Sequence, residues 1–106
     1  MFIVGGFNAY PAEIENVLLR HPQIAQAAVI GVADDRLGEV GMAFVVPGAP
    51  GLTGTDIIRW CRDQMANYKV PRAVELVDAL PVNATGKVMK DVLRERAAQR
   101  RSSVTG

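Results

Sequence analysis

Ile24-Ala-Gln-Ala-Ala-Val-Ile-Gly-Val32 and, after a polar break, Val40-Gly-Met-Ala-Phe-Val-Val46 decide the fold. The first run is apolar nearly throughout, with Ala27, Ala28, Val29 and Ile30 in succession, as a strand covered on both faces requires. In the second, Val40, Met42, Phe44 and Val46 recur at every other position, which is the period of a strand. Asp34-Asp-Arg-Leu-Gly38 has the composition of a turn, and Pro47-Gly48 stops the second run. A hairpin of two antiparallel strands is the simplest pairing.

Upstream, Phe2 to Tyr10 reads as an extended pair interrupted by Gly5-Gly6, which permit a tight bend or a close backbone approach. Pro11 sits where a helix prefers its first proline. Ile14, Val17 and Leu18 follow at helical spacing, with Glu13 and Glu15 near the positive end and Arg20 and His21 near the negative end. Pro22 is expected to close that helix. Downstream, Thr53-Gly-Thr-Asp56 comes close to a capping box, and Ile57, Trp60 and Cys61 continue at helical spacing. Ala73 to Val77 reads as a third strand. Lys90 to about Arg100 reads as a last helix with Val92, Leu93 and Arg96 at its turns. The order β-α-β-β-α-β-α predicts a single α+β domain over residues 1–106. A small sheet of about three strands is packed by three helices and preceded by a short N-terminal β-hairpin. Residues 102–106 are expected to be a disordered tail.

Composition narrows the function. Hydrophobic residues make up 49% and charged residues 22%, which is globular composition. The net charge of +1 offers no field for nucleic acid. A single cysteine, Cys61, allows no internal disulfide. No run approaches a transmembrane span, and Met1-Phe-Ile-Val4 lacks the basic flank of a signal peptide, so a cytoplasmic protein is the default expectation. Strand-like residues from Phe2 onward suggest a piece of a longer chain.

The residue with the most chemical promise is Lys87, in Leu80-Pro-Val-Asn-Ala-Thr-Gly-Lys-Val-Met-Lys90. An ammonium one residue after a glycine, between a strand-like and a helix-like run, suits an anionic carboxylate or phosphate. A nucleotide P-loop would need a glycine where Pro81 stands and a hydroxyl residue where Val88 stands, so that reading fails. Gly5-Gly6 lacks the spacing of a dinucleotide fingerprint. His21 is expected to meet the terminal carbonyls of its helix, and with no second histidine it forms no metal site. Cys61 and Trp60 read as packing groups. Glu13 and Glu15 diverge on a helix and form no catalytic dyad. Arg94, Arg96, Arg100 and Arg101 read as a solvated face. The residues alone give no full catalytic set.

Two runs taken together add to this. Gly5-Gly-Phe-Asn-Ala-Tyr-Pro-Ala-Glu-Ile-Glu15 resembles the motif that opens the C-terminal domain of acyl-CoA synthetases, members of the adenylate-forming (AMP-binding) enzymes. Leu80 to Lys90 resembles the motif near the end of that domain, and Tyr68-Lys-Val-Pro71 between them also matches. The resemblance covers about residues 2 to 98. It is nearer to fatty-acyl and related CoA ligases than to peptide-synthetase domains.

The resemblance implies a ligase that uses ATP, Mg and CoA. A carboxylate first forms an acyl-adenylate, which then passes its acyl group to CoA. The C-terminal domain takes one orientation on a larger N-terminal domain for each step. Lys87 then corresponds to the adenylation lysine, and Gly86 lets its loop extend into the cleft. Gly6 lies beside the pantetheine arm of CoA, with Phe7 and Asn8 lining the same tunnel. Lys69 and Arg72 are candidates for the CoA phosphates, with solvated surface as their alternative. The N-terminal domain is the expected partner, and ATP, Mg and acyl sites are expected mainly there, so the isolated chain is expected to be inactive. The rival readings are a free-standing interaction or regulatory module and an adenylation domain that loads a carrier protein.

Overall fold

A computed structural model describes the backbone of residues 1–105 and the side chains of residues 1–99. The disordered tail expected over residues 102–106 falls outside the side chains described. The centre is the hairpin of two long strands. Strand β3 (Ile24–Asp34) pairs antiparallel with β4 (Gly38–Pro47), from Ile24 opposite Pro47 to Asp34 opposite Gly38, with one slip in register next to Ile24. The turn is built by Asp34, whose Oδ2 accepts the backbone N–H of Arg36 at 3.1 Å and of Leu37 at 2.8 Å. A short acidic side chain that bonds its own following backbone is the reason aspartate suits that place.

Both faces of this hairpin are buried. Val29, Ala43 and Val45 pack with Ile14 and Leu18 of helix α1 (Pro11–Leu18) and with Ile57 and Cys61 of α2 (Gly54–Gln64). Ala28, Ile30, Met42 and Phe44 pack with Leu93 and Ala97 of α3 (Lys90–Thr105) and with Val77 and Leu80. Helices on both faces explain why the strand residues are apolar on successive positions. Each fully buried large side chain, such as Phe44, contributes about 1.5–3 kcal/mol of transfer free energy.

The expectation of an α+β domain holds, with a larger sheet than three strands. β5 (Ala73–Leu76) lies parallel to β4, in register from Met42 with Ala73 to Val45 with Leu76. The N-terminal hairpin, β1 (Phe2–Val4) and β2 (Phe7–Ala9), joins the same sheet where Val4 meets Gly38, which makes five strands of mixed direction. Its Gly5 and Gly6 have φ of 54° and 89°, the left-handed pair that a two-residue hairpin turn requires.

β1 is anchored by Phe2. Gly31 and Gly41 stand opposite each other on β3 and β4, and the Phe2 side chain lies against both. A methyl group on Gly31 would come within 2.6 Å of Phe2 Cβ, and one on Gly41 within 3.2 Å of Phe2 Cζ. The glycines are there because an aromatic side chain occupies the space that their Cβ atoms would need.

The helix signals fare well, with local corrections. α1 starts at Pro11 but ends at Leu18, ahead of Pro22, through tight turns in which Arg20 N–H reaches Val17 O and His21 N–H reaches Leu18 O. The His21 ring does not meet terminal carbonyls as expected. Its Nδ1 accepts the Gln23 N–H at 3.0 Å, and the ring meets Trp60 edge-on at 4.9 Å, because the chain has already turned out of the helix there. α2 carries a full capping box, Asp56 N–H to Thr53 Oγ1 at 3.1 Å and Thr53 N–H to Asp56 Oδ2 at 3.2 Å, an arrangement worth about 1 kcal/mol. On α3, Leu93 and Ala97 face inward while Val92 is 40% exposed. Arg94 pairs with Asp91 at 2.8 Å, and Arg96 pairs with Glu75 of β5 at 2.9 Å, so Arg96 holds α3 to the sheet instead of lying free in solvent. A 3-10 turn at Asn67–Lys69 was not foreseen. Among the described residues no helix is long and apolar enough to cross a membrane.

Two outcomes follow from this packing. Gly31→Ala should destabilise the chain by about 1–3 kcal/mol through overpacking against Phe2, measured by denaturant unfolding. Burial pushes the Cys61 thiol up from 9.0 to about 11, so at pH 8 a thiol-specific chromogenic reagent should label it only after unfolding. Because the folded state favours the protonated thiol, its contribution to stability is intact below pH 9.0 and lost as pH rises towards about 11.

Candidate functional site

Lys87 stands on a miniature hairpin between β5 and α3. Val82 and Val88 form an antiparallel bridge, Met89 N–H reaches Pro81 O at 2.8 Å, and Asn83 N–H reaches Lys87 O at 2.9 Å. The turn closes with Gly86 N–H on Asn83 O at 2.9 Å, and Gly86 has a φ of 84°. Gly86 supplies the left-handed position that closes this tight turn, where a side chain would be strained. Leu80 and Val88 root the hairpin in the core cluster beneath α3. The lysine is therefore an exposed cation at the end of a hydrogen-bonded hairpin.

Ion pairing separates Lys87 from the other two lysines. Lys69 Nζ is hydrogen-bonded to Glu13 Oε1. Lys90 Nζ lies 2.9 Å from Glu15 Oε2. Among the described residues, Lys87 forms no ion pair. An ammonium with three donors and no ion-pair partner among the described residues is free to meet an anion from elsewhere.

The second group of candidate residues is built on the N-terminal hairpin. Gly6, Phe7 and Asn8 are all exposed, and a Cβ on Gly6 would meet nothing within 4 Å. Phe7, 59% exposed, stacks on Tyr68 with ring centroids 4.9 Å apart and planes 21° apart. Lys69 Nζ lies 5.6 Å from the centroid of the Tyr68 ring, within reach of a cation–π contact. The bond to Glu13 raises the Lys69 pKa above its ordinary value, and the group stays charged at all ordinary pH. Gly6, Phe7, Tyr68 and Lys69 thus form one small surface of backbone, aromatic rings and a cation that is already partnered. Arg72 is exposed elsewhere, lining a cleft of about 150 Å³ with Arg62, Asn67 and Pro71. Arg62 had no spacing signal to single it out.

Lys87 and the Gly6 surface belong to opposite sides of the sheet, one rooted in each core cluster. Glu15 joins them. Its Oε2 accepts the backbone N–H of Val29 at 2.8 Å as well as holding Lys90, so α1, β3 and the start of α3 meet at one carboxylate. The reading of Glu15 as a helix charge missed this, since neither partner is near it in sequence. Among the described residues no group of three or more His, Cys, Asp or Glu is arranged to hold a metal ion.

Comparison with known proteins identifies the family. Residues 13–87 match the family of AMP-binding enzyme C-terminal domains. The chain is 57% identical over 97 residues to a methyl-dioxo-octahydro-indenyl propanoyl:CoA ligase of Rhodococcus jostii (strain RHA1), covering 90% of this chain and 19% of that protein. It is 47% identical over 97 residues to a feruloyl-CoA synthase of Amycolatopsis sp, covering 91% of this chain and 20% of that protein. Among solved structures, a fatty acyl CoA synthetase of Mycobacterium tuberculosis superposes with a TM-score of 0.84 at 43% identity, covering 91% of this chain and 19% of that one. The chain thus spans about a fifth of the length of the relatives it matches. On the matched residues and on relatives similar across nine-tenths of it, the chain belongs to the AMP-binding enzyme C-terminal domain family.

Proposed function

We propose that these residues act as the mobile C-terminal domain of an ATP-dependent acyl-CoA ligase. Lys87 serves the first half-reaction, and the Gly6 surface serves the second. The observation that carries the reading is the ammonium of Lys87 on a hydrogen-bonded hairpin, without an ion pair among the described residues, whereas Lys69 and Lys90 are each held by a glutamate.

In the first step a substrate carboxylate oxygen attacks the α-phosphorus of ATP. The bond from that phosphorus to the bridging oxygen breaks, and pyrophosphate leaves with the electron pair. Carboxylate and phosphate repel one another on approach, and negative charge grows on the phosphoryl oxygens. Lys87 donates to both anions, which holds them together and offsets the developing charge. ATP and Mg would be held mainly by the larger remainder of such an enzyme, and the ion would neutralise phosphate charge there.

In the second step the CoA thiolate attacks the carbonyl carbon of the acyl-adenylate, and AMP leaves. Gly6, whose missing side chain leaves open space, lets the pantetheine arm run along the hairpin backbone, with Phe7 and Asn8 beside it. Lys69 and Arg72 are the cations available to the CoA phosphates. Lys69 has to share its charge with Glu13, so Arg72 is the stronger of the two.

The acid activated is set outside these residues. Relatives named for a fused-ring propanoate, for ferulate and for long-chain fatty acids share 57%, 47% and 43% identity with this one domain. Such unlike acids are served by one domain sequence when selectivity lies elsewhere.

In a full-length ligase carrying this domain, Lys87→Ala should lower carboxylate-dependent ATP–pyrophosphate exchange by about 100- to 1000-fold. Conversion of supplied acyl-adenylate and CoA to thioester should stay close to the parent rate. Equal loss of both half-reactions would contradict the assignment of Lys87 to the first step. Activity with a carrier protein in place of CoA would instead identify a carrier-loading adenylation domain.

A further inference from the structure

The Asn83 carboxamide is the centre of the Lys87 hairpin. Its Oδ1 accepts the Thr85 N–H at 3.0 Å, the Thr85 hydroxyl at 2.7 Å and the Lys87 N–H at 3.0 Å. Both backbone partners can only donate, so the atom facing them has to be the oxygen. The Asn83 backbone adds two more bonds, its N–H to Lys87 O and its carbonyl to Gly86 N–H, each at 2.9 Å. Lys87 is thereby held to this one residue by both its N–H and its C=O. All these side-chain bonds lie at the exposed surface, where they add little to global stability while fixing local geometry.

We infer that Asn83 is a positioning residue for Lys87: its side-chain oxygen sets the backbone from which the ammonium reaches the reacting anions. This rests on the proposed role of Lys87. The choice of amide has a physical reason. A turn centred on a carboxylate would place a competing anion beside the lysine, whereas a neutral oxygen accepts the same hydrogen bonds and leaves the ammonium unpaired.

The test uses a full-length ligase with this domain, comparing Asn83→Ala, Asn83→Ser and Lys87→Ala. Asn83→Ala should lower kcat for carboxylate-dependent ATP–pyrophosphate exchange by about 10- to 100-fold, the scale of a misplaced catalytic group. The KM for ATP and the thioester step from supplied acyl-adenylate should barely change. Faster amide hydrogen exchange at Lys87 should accompany the loss, with an unchanged melting temperature. Asn83→Ser restores a side-chain oxygen as acceptor and should recover most of the exchange activity. If Lys87→Ala abolishes exchange while Asn83→Ala retains it, the positioning role is overturned. It is equally overturned if Asn83→Ala slows both half-reactions alike or lowers the melting temperature, since that marks a general structural role. Should Lys87→Ala itself leave exchange intact, the reading of Lys87 fails, and the positioning role falls with it.

Discussion

The carboxylate of Glu15 is the interaction on which the rest of the arrangement depends. β3 lies at the end of the sheet path, and the outer side of such a strand presents backbone N–H groups without a neighbouring strand. Glu15 reaches from α1 to accept one of them, the Val29 N–H, at 2.8 Å, and the same oxygen holds Lys90 at 2.9 Å. Without it, a partly buried N–H would be left unpaired at a cost of about 1–3 kcal/mol. The first turn of α3 would also lose its tie to the opposite face of the sheet. The surface ion pair alone would be worth little. Its value lies in sharing an atom with a backbone hydrogen bond, which fixes where α3 begins and so where the Lys87 hairpin stands.

The two candidate surfaces are built alike. Each is a tight hairpin closed by left-handed glycines, Gly5 and Gly6 in one and Gly86 in the other, and each is rooted in a different core cluster. If the two surfaces serve two steps as proposed, their places on opposite sides of one sheet require the domain to reorient as a body between them.

Local signals in the sequence read well. The apolar run of β3, the alternation of β4, Pro11 at the start of α1 and the Thr53–Asp56 capping box are encoded within a few residues, and all recur in the structure. The two motifs pointed to the family correctly. What escaped depends on residues distant in sequence. The Phe2 ring over Gly31 and Gly41, the pairing of β1 with β4, the parallel course of β5 and the double role of Glu15 have no periodicity to betray them. His21 was misjudged because α1 ends at Leu18, before it, and because its neighbour Trp60 is distant in sequence. Asn83 was in plain view within the second motif, and asparagine before a glycine is a turn signal that matches its hydrogen bonds in the structure.

In the proposed cycle one domain presents different surfaces in the two half-reactions. Inter-domain distances measure it most directly. Cys61 is buried, so a nitroxide can be directed to Asp63→Cys on the exposed side of α2, with a second on the larger remainder of a full-length ligase. Pulsed dipolar spectroscopy should give one distance distribution with ATP and the carboxylate, and a distinct one with CoA and an acyl-adenylate analogue. A single distribution, unchanged between the two conditions, would contradict the account.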